Sequence, residues 1–153
     1  MSLLLLLLDV DGEALDAAAK RLSPVLNGSQ LAIVQGNLFR LAEKPALAGH
    51  LRGVNQILCT GLFDYLSGPV AASLLAEFWR QLGPGGTAFV FNFAPHNPTR
   101  AYMEWLGNWY LLYRNEAELA ELATAAGIAS AHWSLGAEPL GIDLYLALRK
   151  PAC

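Results

Sequence analysis

Cysteine, histidine and cationic side chains are all scarce in this sequence of 153 residues, and each shortage narrows what the chain can be. Its two cysteines, Cys59 and Cys153, cannot build a disulfide framework or a structural zinc site, which points to a reducing, cytoplasmic setting. His50, His96 and His132 are scattered and lack the close spacing of a helical metal pair, so no metal is expected. Ten Lys+Arg stand against thirteen Asp+Glu, a net charge of −3, which argues against a nucleic-acid partner. Long hydrophobic runs are missing too. Leu3–Leu8 is unbroken leucine, but Asp9 ends it and no basic segment precedes it; a membrane span needs about twenty apolar residues. Apart from that run, neither internal repeats nor low-complexity linkers occur.

What is present is apolar mass: 54% of residues are hydrophobic and 15% charged, enough for a sizeable core. The length fits one domain spanning 1–153. Leu3–Leu8 reads as an interior parallel strand, apolar at every position because helices cover both faces. A helix follows, capped by Asp11, with Leu15, Ala18, Ala19 and Leu22 at helical spacing and Ser23-Pro24 as its stop. Leu31–Gln35 is a second strand, and residues 38–53 allow one short helix interrupted at Pro45. Val54–Cys59 is a third strand. Ser67 and Pro69 then open a helix whose apolar stripe is Val70, Leu74, Leu75, Phe78 and Leu82. Gly83-Pro84-Gly85-Gly86 breaks it before a fourth strand, Thr87–Phe93. Asn115 and Glu118 form a capping pair for a helix ending at Gly127. Two strands close the chain, Ser130–Leu135 and Ile142–Arg149, the last with one wetter face. Strand–helix alternation predicts an α/β sheet, mostly parallel, with a C-terminal antiparallel edge hairpin.

Open parallel sheets bind ligands beyond the C-terminal ends of their strands. Asp9 follows the first strand, where a carboxylate can accept both hydroxyls of a ribose; the plainer alternative is that it begins a turn or shares the capping with Asp11. Asn37 follows the second strand and offers a donor and an acceptor to an adenine edge, or simply completes a Gly-Asn turn. Beyond the third strand, Thr60 precedes Gly61, whose backbone can come close to a ligand. Asn92, His96 and Asn97 follow the fourth, with His96 read as a loop residue rather than a base.

In order and spacing these segments resemble the later part of the class I S-adenosylmethionine-dependent methyltransferases. Leu8-Asp9-Val10-Asp11-Gly12-Glu13-Ala14-Leu15 looks like the second motif, which implies that Asp9 holds the cofactor's ribose and Val10 packs on its adenine. Gly36-Asn37-Leu38 looks like the third motif, which puts Asn37 and Leu38 at the adenine. Leu58 to Leu66 sits where the fourth motif lines the methyl-transfer site, placing Thr60 and Gly61 with the cofactor and Tyr65 with the acceptor, to which Asn92 after the fourth strand is also assigned. Leu82-Gly83-Pro84-Gly85-Gly86 matches the turn before the family's fifth strand. Gly-Leu-Phe-Asp-Tyr-Leu at 61–66 and Asn-Pro-Thr-Arg-Ala-Tyr-Met-Glu-Trp at 97–105 look most similar to a bacterial group associated with methyl esters of fatty acids used as signals. The family's first strand and its glycine-rich turn have no counterpart before Leu3, and Gly83–Gly86 follows a helix rather than a strand. The expectation is therefore a Rossmann-like methyltransferase sheet lacking that first strand and turn. Either the chain is truncated, as its abrupt beginning suggests, or the leucine strand pairs directly with Val54–Cys59, or another chain supplies the strand.

The implied reaction is a single in-line methyl transfer to a small molecule. With a carboxylate acceptor it needs no general base and no catalytic residue is assigned. Tyr102, Trp109 and Tyr113, spaced by seven and four residues, can share one helix and line the acceptor pocket, with Arg100 or Arg114 gripping an acid by two hydrogen bonds. Trp105 and Tyr110 read better as core packing. A different class of protein is also open: a non-catalytic assembly module, homo-oligomeric through an exposed strand edge. A nicotinamide-dependent dehydrogenase suits the sequence less, since it too needs an early glycine fingerprint.

Overall fold

The computed structural model describes residues 3–152, so Cys153 lies outside the described residues. Contacts divide the chain, expected to be one domain, into two compact units that meet in sequence between Leu47 and Ala48.

The first unit is a parallel strand pair joined by a helix. Strand β1 (Leu5–Asp9) lies beside β2 (Leu31–Gln35) in parallel, from Leu5 opposite Leu31 to Asp9 opposite Gln35. Parallel neighbours need a crossover, and α1 (Gly12–Leu22) provides it. Asp11 starts that helix as expected: one of its carboxylate oxygens accepts from Glu13 N at 2.8 Å and Ala14 N at 3.2 Å. Lys20 and Arg21 occupy the last turn, where the helix dipole favours cations. The leucine strand differs from expectation in burial. Residues 5–8 are only half-buried, and Leu3 and Leu4 are exposed, because β1 has one hydrogen-bonded neighbour among the described residues. After β2 comes a 3-10 turn, Leu38–Glu43, and then α2 (Pro45–Gly49). Pro45 therefore begins a helix instead of interrupting one, a position where its missing N–H forfeits no bond.

The second unit holds a mixed sheet ordered β3-β4-β6-β5. Strand β3 (Val54–Cys59) runs parallel to β4 (Leu82–Phe93), which is antiparallel to β6 (Asp143–Arg149), itself antiparallel to β5 (Trp133–Ala137). The closing hairpin thus inserts its second strand beside β4 and leaves β5 at the edge, with Ser130–His132 a 3-10 turn where strand was expected. Among the described residues, β1 and β3 belong to separate sheets. In β6, Leu144, Leu146 and Leu148 are buried while Asp143, Tyr145 and Ala147 are half-buried, the expected alternation.

Helix α3 (Gly68–Gln81) buries Ala71, Ala72, Leu74, Leu75 and Phe78. Val70, expected on that stripe, is exposed, and Leu82 belongs to β4. The glycine run does not separate helix from strand: α3 ends at Gln81 and β4 begins at Leu82. Instead it bulges from the ladder, because pairing passes from Val54–Leu82 to Gln56–Thr87. Glycine is required there. Gly85 has φ +73°, and a Cβ on Gly86 would lie 2.8 Å from Gly83 O.

Helix α4 covers only Arg100–Trp105, and residues 106–115 are irregular. One helix therefore does not present Tyr102, Trp109 and Tyr113 together. Asn108, with φ 46°, turns the chain out of the helical path. Trp105 and Tyr110 are 86% and 65% exposed, which overturns the core-packing reading of both. Helix α5 (Glu116–Ala125) has the expected capping box: Asn115 Oδ1 accepts from Glu118 N at 2.9 Å, and Glu118 Oε2 accepts from Asn115 N at 2.8 Å.

Candidate functional site

In the first unit, the C-terminal ends of β1 and β2 bring four of the expected residues together. Gly36 N donates to Asp9 O at 2.7 Å, which extends the pairing one step beyond the strands and sets Asn37 beside the Asp9–Val10 turn. Asp9 Oδ1 accepts from Asp11 N at 3.0 Å, so the plainer turn-forming role is real. Oδ2 has no partner among the described residues and remains available to a diol. Val10 is 62% exposed, a bare apolar surface of the kind a base can lie on. Asn37 Oδ1 caps the following 3-10 turn by accepting from Phe39 N at 2.9 Å. Its oxygen thus already serves the turn, while its Nδ2 has no partner among the described residues and is left to donate, as to a ring nitrogen. Leu38 is half-buried beside it.

In the second unit, Thr60 and Gly61 are exposed after β3. Gly61 has φ +71°, a conformation that favours glycine, and open space where a Cβ would stand. Tyr65 and Trp109 are half-exposed and joined, Trp109 Nε1 donating to Tyr65 Oη at 2.6 Å. Tyr102 is 68% exposed on α4, and His96 sits exposed in the turn before it. Arg100 lays its guanidinium 4.4 Å from the Tyr113 ring centroid while its Nε donates to Glu104 at 2.8 Å. The Tyr113 hydroxyl is buried with no hydrogen-bond partner among the described residues. Burial raises its pKa, Glu104 and Asp64 add to the rise, and Arg100 opposes it. Tyr113 and Arg114 also line an open groove of about 870 Å³ between α3 and α5, with Ser67, Ala72, Ala76 and Leu122.

Two expected acceptor residues are occupied elsewhere. Asn92 is fully buried, and Arg114 is nearly so. Arg114 Nη1 donates to Phe63 O at 2.7 Å and to Asn92 Oδ1 at 2.5 Å, and Nη2 donates to Leu66 O. With three of its five N–H donors on the protein's own oxygens and its side chain buried, Arg114 serves the fold and is not exposed to grip an acid. Asn92 in turn donates to Asp64 Oδ1 and to Leu112 O, each at 2.9 Å. Asp64 is the residue that motif reading passed over. The one signal was a carboxylate in the otherwise apolar run Leu62–Leu66. Burial holds its carboxyl above the usual range, while the Phe93 amide and Arg114 pull the other way. Cys59 is buried, and that burial pushes its thiol up to about 12. Among the described residues, no group of His, Cys, Asp and Glu could hold a metal ion, and no helix is long and apolar enough to cross a membrane.

No protein-family model matches the chain, and no curated protein matches its sequence. Solved structures do match, over nearly its whole length. A possible exported protein from Bordetella parapertussis superposes with TM-score 0.76 at 18% identity, covering 97% of this chain and 54% of that one. An O-methyltransferase family protein from Burkholderia thailandensis gives 0.67 at 14% identity, covering 96% and 43%. Human N-acetylserotonin methyltransferase, in complex with S-adenosylmethionine, gives 0.65 at 14% identity, covering 97% and 41%. The chain thus spans about half the length, or less, of these proteins. At such identities the likeness is one of fold: α/β and Rossmann-like, as in methyltransferase structures, with a mixed sheet.

Proposed function

We propose that the chain carries the adenosine-binding and acceptor-binding parts of an S-adenosylmethionine-dependent methyltransferase, working in the cytoplasm on a small-molecule acid. The observation that carries this reading is that Asp9 Oδ2 and Asn37 Nδ2, both without partners among the described residues, stand at neighbouring strand ends with exposed Val10. Those groups fit a nucleoside: a carboxylate for the ribose hydroxyls, an amide donor for a ring nitrogen, an apolar ledge for the base. The neighbours of similar fold that carry methyltransferase names support it.

S-adenosylmethionine would supply an electrophilic methyl group on a sulfonium. The protein's own work is then to bind, orient and exclude water rather than to move protons. Thr60 and Gly61 are assigned to the cofactor side. Tyr65, Tyr102, Trp109 and Tyr113 offer aromatic surface to the apolar body of an acceptor, and Arg100, whose side chain is 47% exposed, offers the cation for its carboxylate. A fatty acid, esterified by methyl transfer, has this combination of long apolar body and single acid.

Isothermal titration of the chain with S-adenosylhomocysteine, adenosine and NAD tests the reading. Saturable binding of the first two, with NAD no tighter than adenosine, is expected. Heat from NAD alone, or from none of the three, refutes it.

A further inference from the structure

We propose that Asp64, Asn92 and Arg114 act together as the positioning device of the acceptor side: a buried ion pair split by an amide, tying together three separate stretches of chain. This deepens the methyl-transfer reading and rests on it for the identity of the acceptor residues, though not for the geometry.

Asp64, Asn92 and Arg114 are 3%, 0% and 7% exposed. Among the described residues, Asp64 and Arg114 form no direct ion pair. Asn92 stands between them instead. Its Nδ2 donates to Asp64 Oδ1 at 2.9 Å and its Oδ1 accepts from Arg114 Nη1 at 2.5 Å. Only a side chain that donates at one end and accepts at the other can join a carboxylate to a guanidinium in this way.

Each member also fastens backbone. Phe93 N donates to Asp64 Oδ1 at 2.8 Å, Leu112 O accepts from Asn92, and Phe63 O and Leu66 O accept from Arg114. Main-chain bonds run between the same stretches, Leu112 N to Asp64 O at 2.7 Å and Arg114 N to Phe93 O at 3.0 Å. The loop after β3, the end of β4 and the irregular run before α5 are thereby locked to one another. Tyr65 is next to Asp64 and Tyr113 next to Arg114. Trp109, in the irregular run, reaches back to Tyr65 Oη. The aromatic groups assigned to the acceptor thus hang on either side of the amide.

An apolar cluster could hold three segments with at least equal stability. Directional bonds fix their register as well, since each partner is costly to leave unpaired. Register is what aligned acceptor groups need.

The test exchanges the two side chains. Asp64→Asn strands the Arg114 cation, and Asn92→Asp sets a carboxylate against Asp64. The double variant Asp64→Asn/Asn92→Asp restores the charge balance and part of the order: the carboxylate now at position 92 accepts from Arg114 and, once the side chain at 64 turns, from the amide there, while Leu112 O loses the donor that Asn92 gave it. Trp109 is read by fluorine NMR in chain labelled with fluorotryptophan and assigned with Trp109→Phe. The expected result is that each single substitution moves the Trp109 resonance toward that of Tyr65→Phe, and that the double variant returns it toward wild type. Resonances unmoved by both single changes, or damage that simply adds in the double variant, would overturn the proposal. Should a single variant fail to fold, amide exchange in the wild-type chain decides the matter. Phe93 and Leu112 amides exchanging together and slowly support it; a Leu112 amide as fast as residues 106–110 overturns it. Titration with S-adenosylhomocysteine runs in parallel. Its failure in the wild type refutes methyl transfer, while the exchange of side chains still decides the positioning.

Discussion

Replacing Asp9 is the sharpest perturbation of the proposed nucleoside edge. The carboxylate has one oxygen engaged by Asp11 N at 3.0 Å and one without a partner among the described residues. A ribose diol bound there donates two charge-assisted hydrogen bonds, each worth roughly 1.5–3 kcal/mol. Because Asp9 is exposed, the lower end applies, about 3 kcal/mol for the pair, or on the order of 150-fold in affinity. Asp9→Ala should therefore weaken S-adenosylhomocysteine about 150-fold. Asp9→Asn keeps an acceptor for Asp11 N but loses the charge and one acceptor, and should fall between, about tenfold to thirtyfold. The assay is isothermal titration, or amide chemical shifts where binding is weak, with circular dichroism to check that β1 and α1 persist. A cycle with 2′-deoxyadenosine isolates the contact. Wild type should discriminate against the deoxy ligand by about tenfold, roughly one hydrogen bond, and Asp9→Ala should not discriminate at all. Equal affinity of wild type and Asp9→Ala, or equal discrimination by both, would refute the assignment.

Other expectations concern the second unit. Glu138 accepts from Leu140 N at 2.5 Å, Ile142 N at 2.6 Å and Asp143 N at 3.2 Å, and these amides hold its carboxyl below its ordinary 4.5. Its contribution is present above that value and lost as pH falls through the lowered one, whereas the raised carboxyls of Asp64 and Asp143 act in the opposite sense. Protection of the Leu140 and Ile142 amides, measured against their intrinsic exchange rates at each pH, should therefore fall in acid, and Glu138→Gln should abolish that pH step. Lys150 Nζ donates to Leu82 O at 2.7 Å, Trp79 O at 3.0 Å and Arg80 O at 3.3 Å, closing the C-terminal end of α3. Lys150→Met should cost about 1–2 kcal/mol after allowing for partial exposure, or roughly 2–8 °C in a thermal melt; an unchanged melt would show the bonds to be idle. The outer edge of β3 is unpaired among the described residues and Leu58 on it is 65% exposed, so association should rise with concentration in light scattering. Leu58→Lys should suppress it, and a wild type that stays monomeric throughout would contradict the expectation.

Local order was readable because local interactions set it. Asp11 before α1, the Asn115–Glu118 box before α5 and the alternation along β6 each depend on neighbours within four residues or on period two, so sequence alone specified them. Residues Asp9, Val10 and Asn37 at successive strand ends were legible for the same reason. What only the tertiary structure decided is where long-range partners compete for a side chain. Arg114 reads as an acid grip, yet the carbonyls of Phe63 and Leu66, about fifty residues earlier, take its fork. Asp64 reads as a loop residue until Asn92 and Phe93 arrive beside it. Seven-and-four spacing permits one helix for Tyr102, Trp109 and Tyr113, but α4 stops at Trp105, and Trp109 joins Tyr65 across the chain. Spacing states which faces a helix would have; it cannot state which buried donors and acceptors find each other once the sheet brings distant segments together.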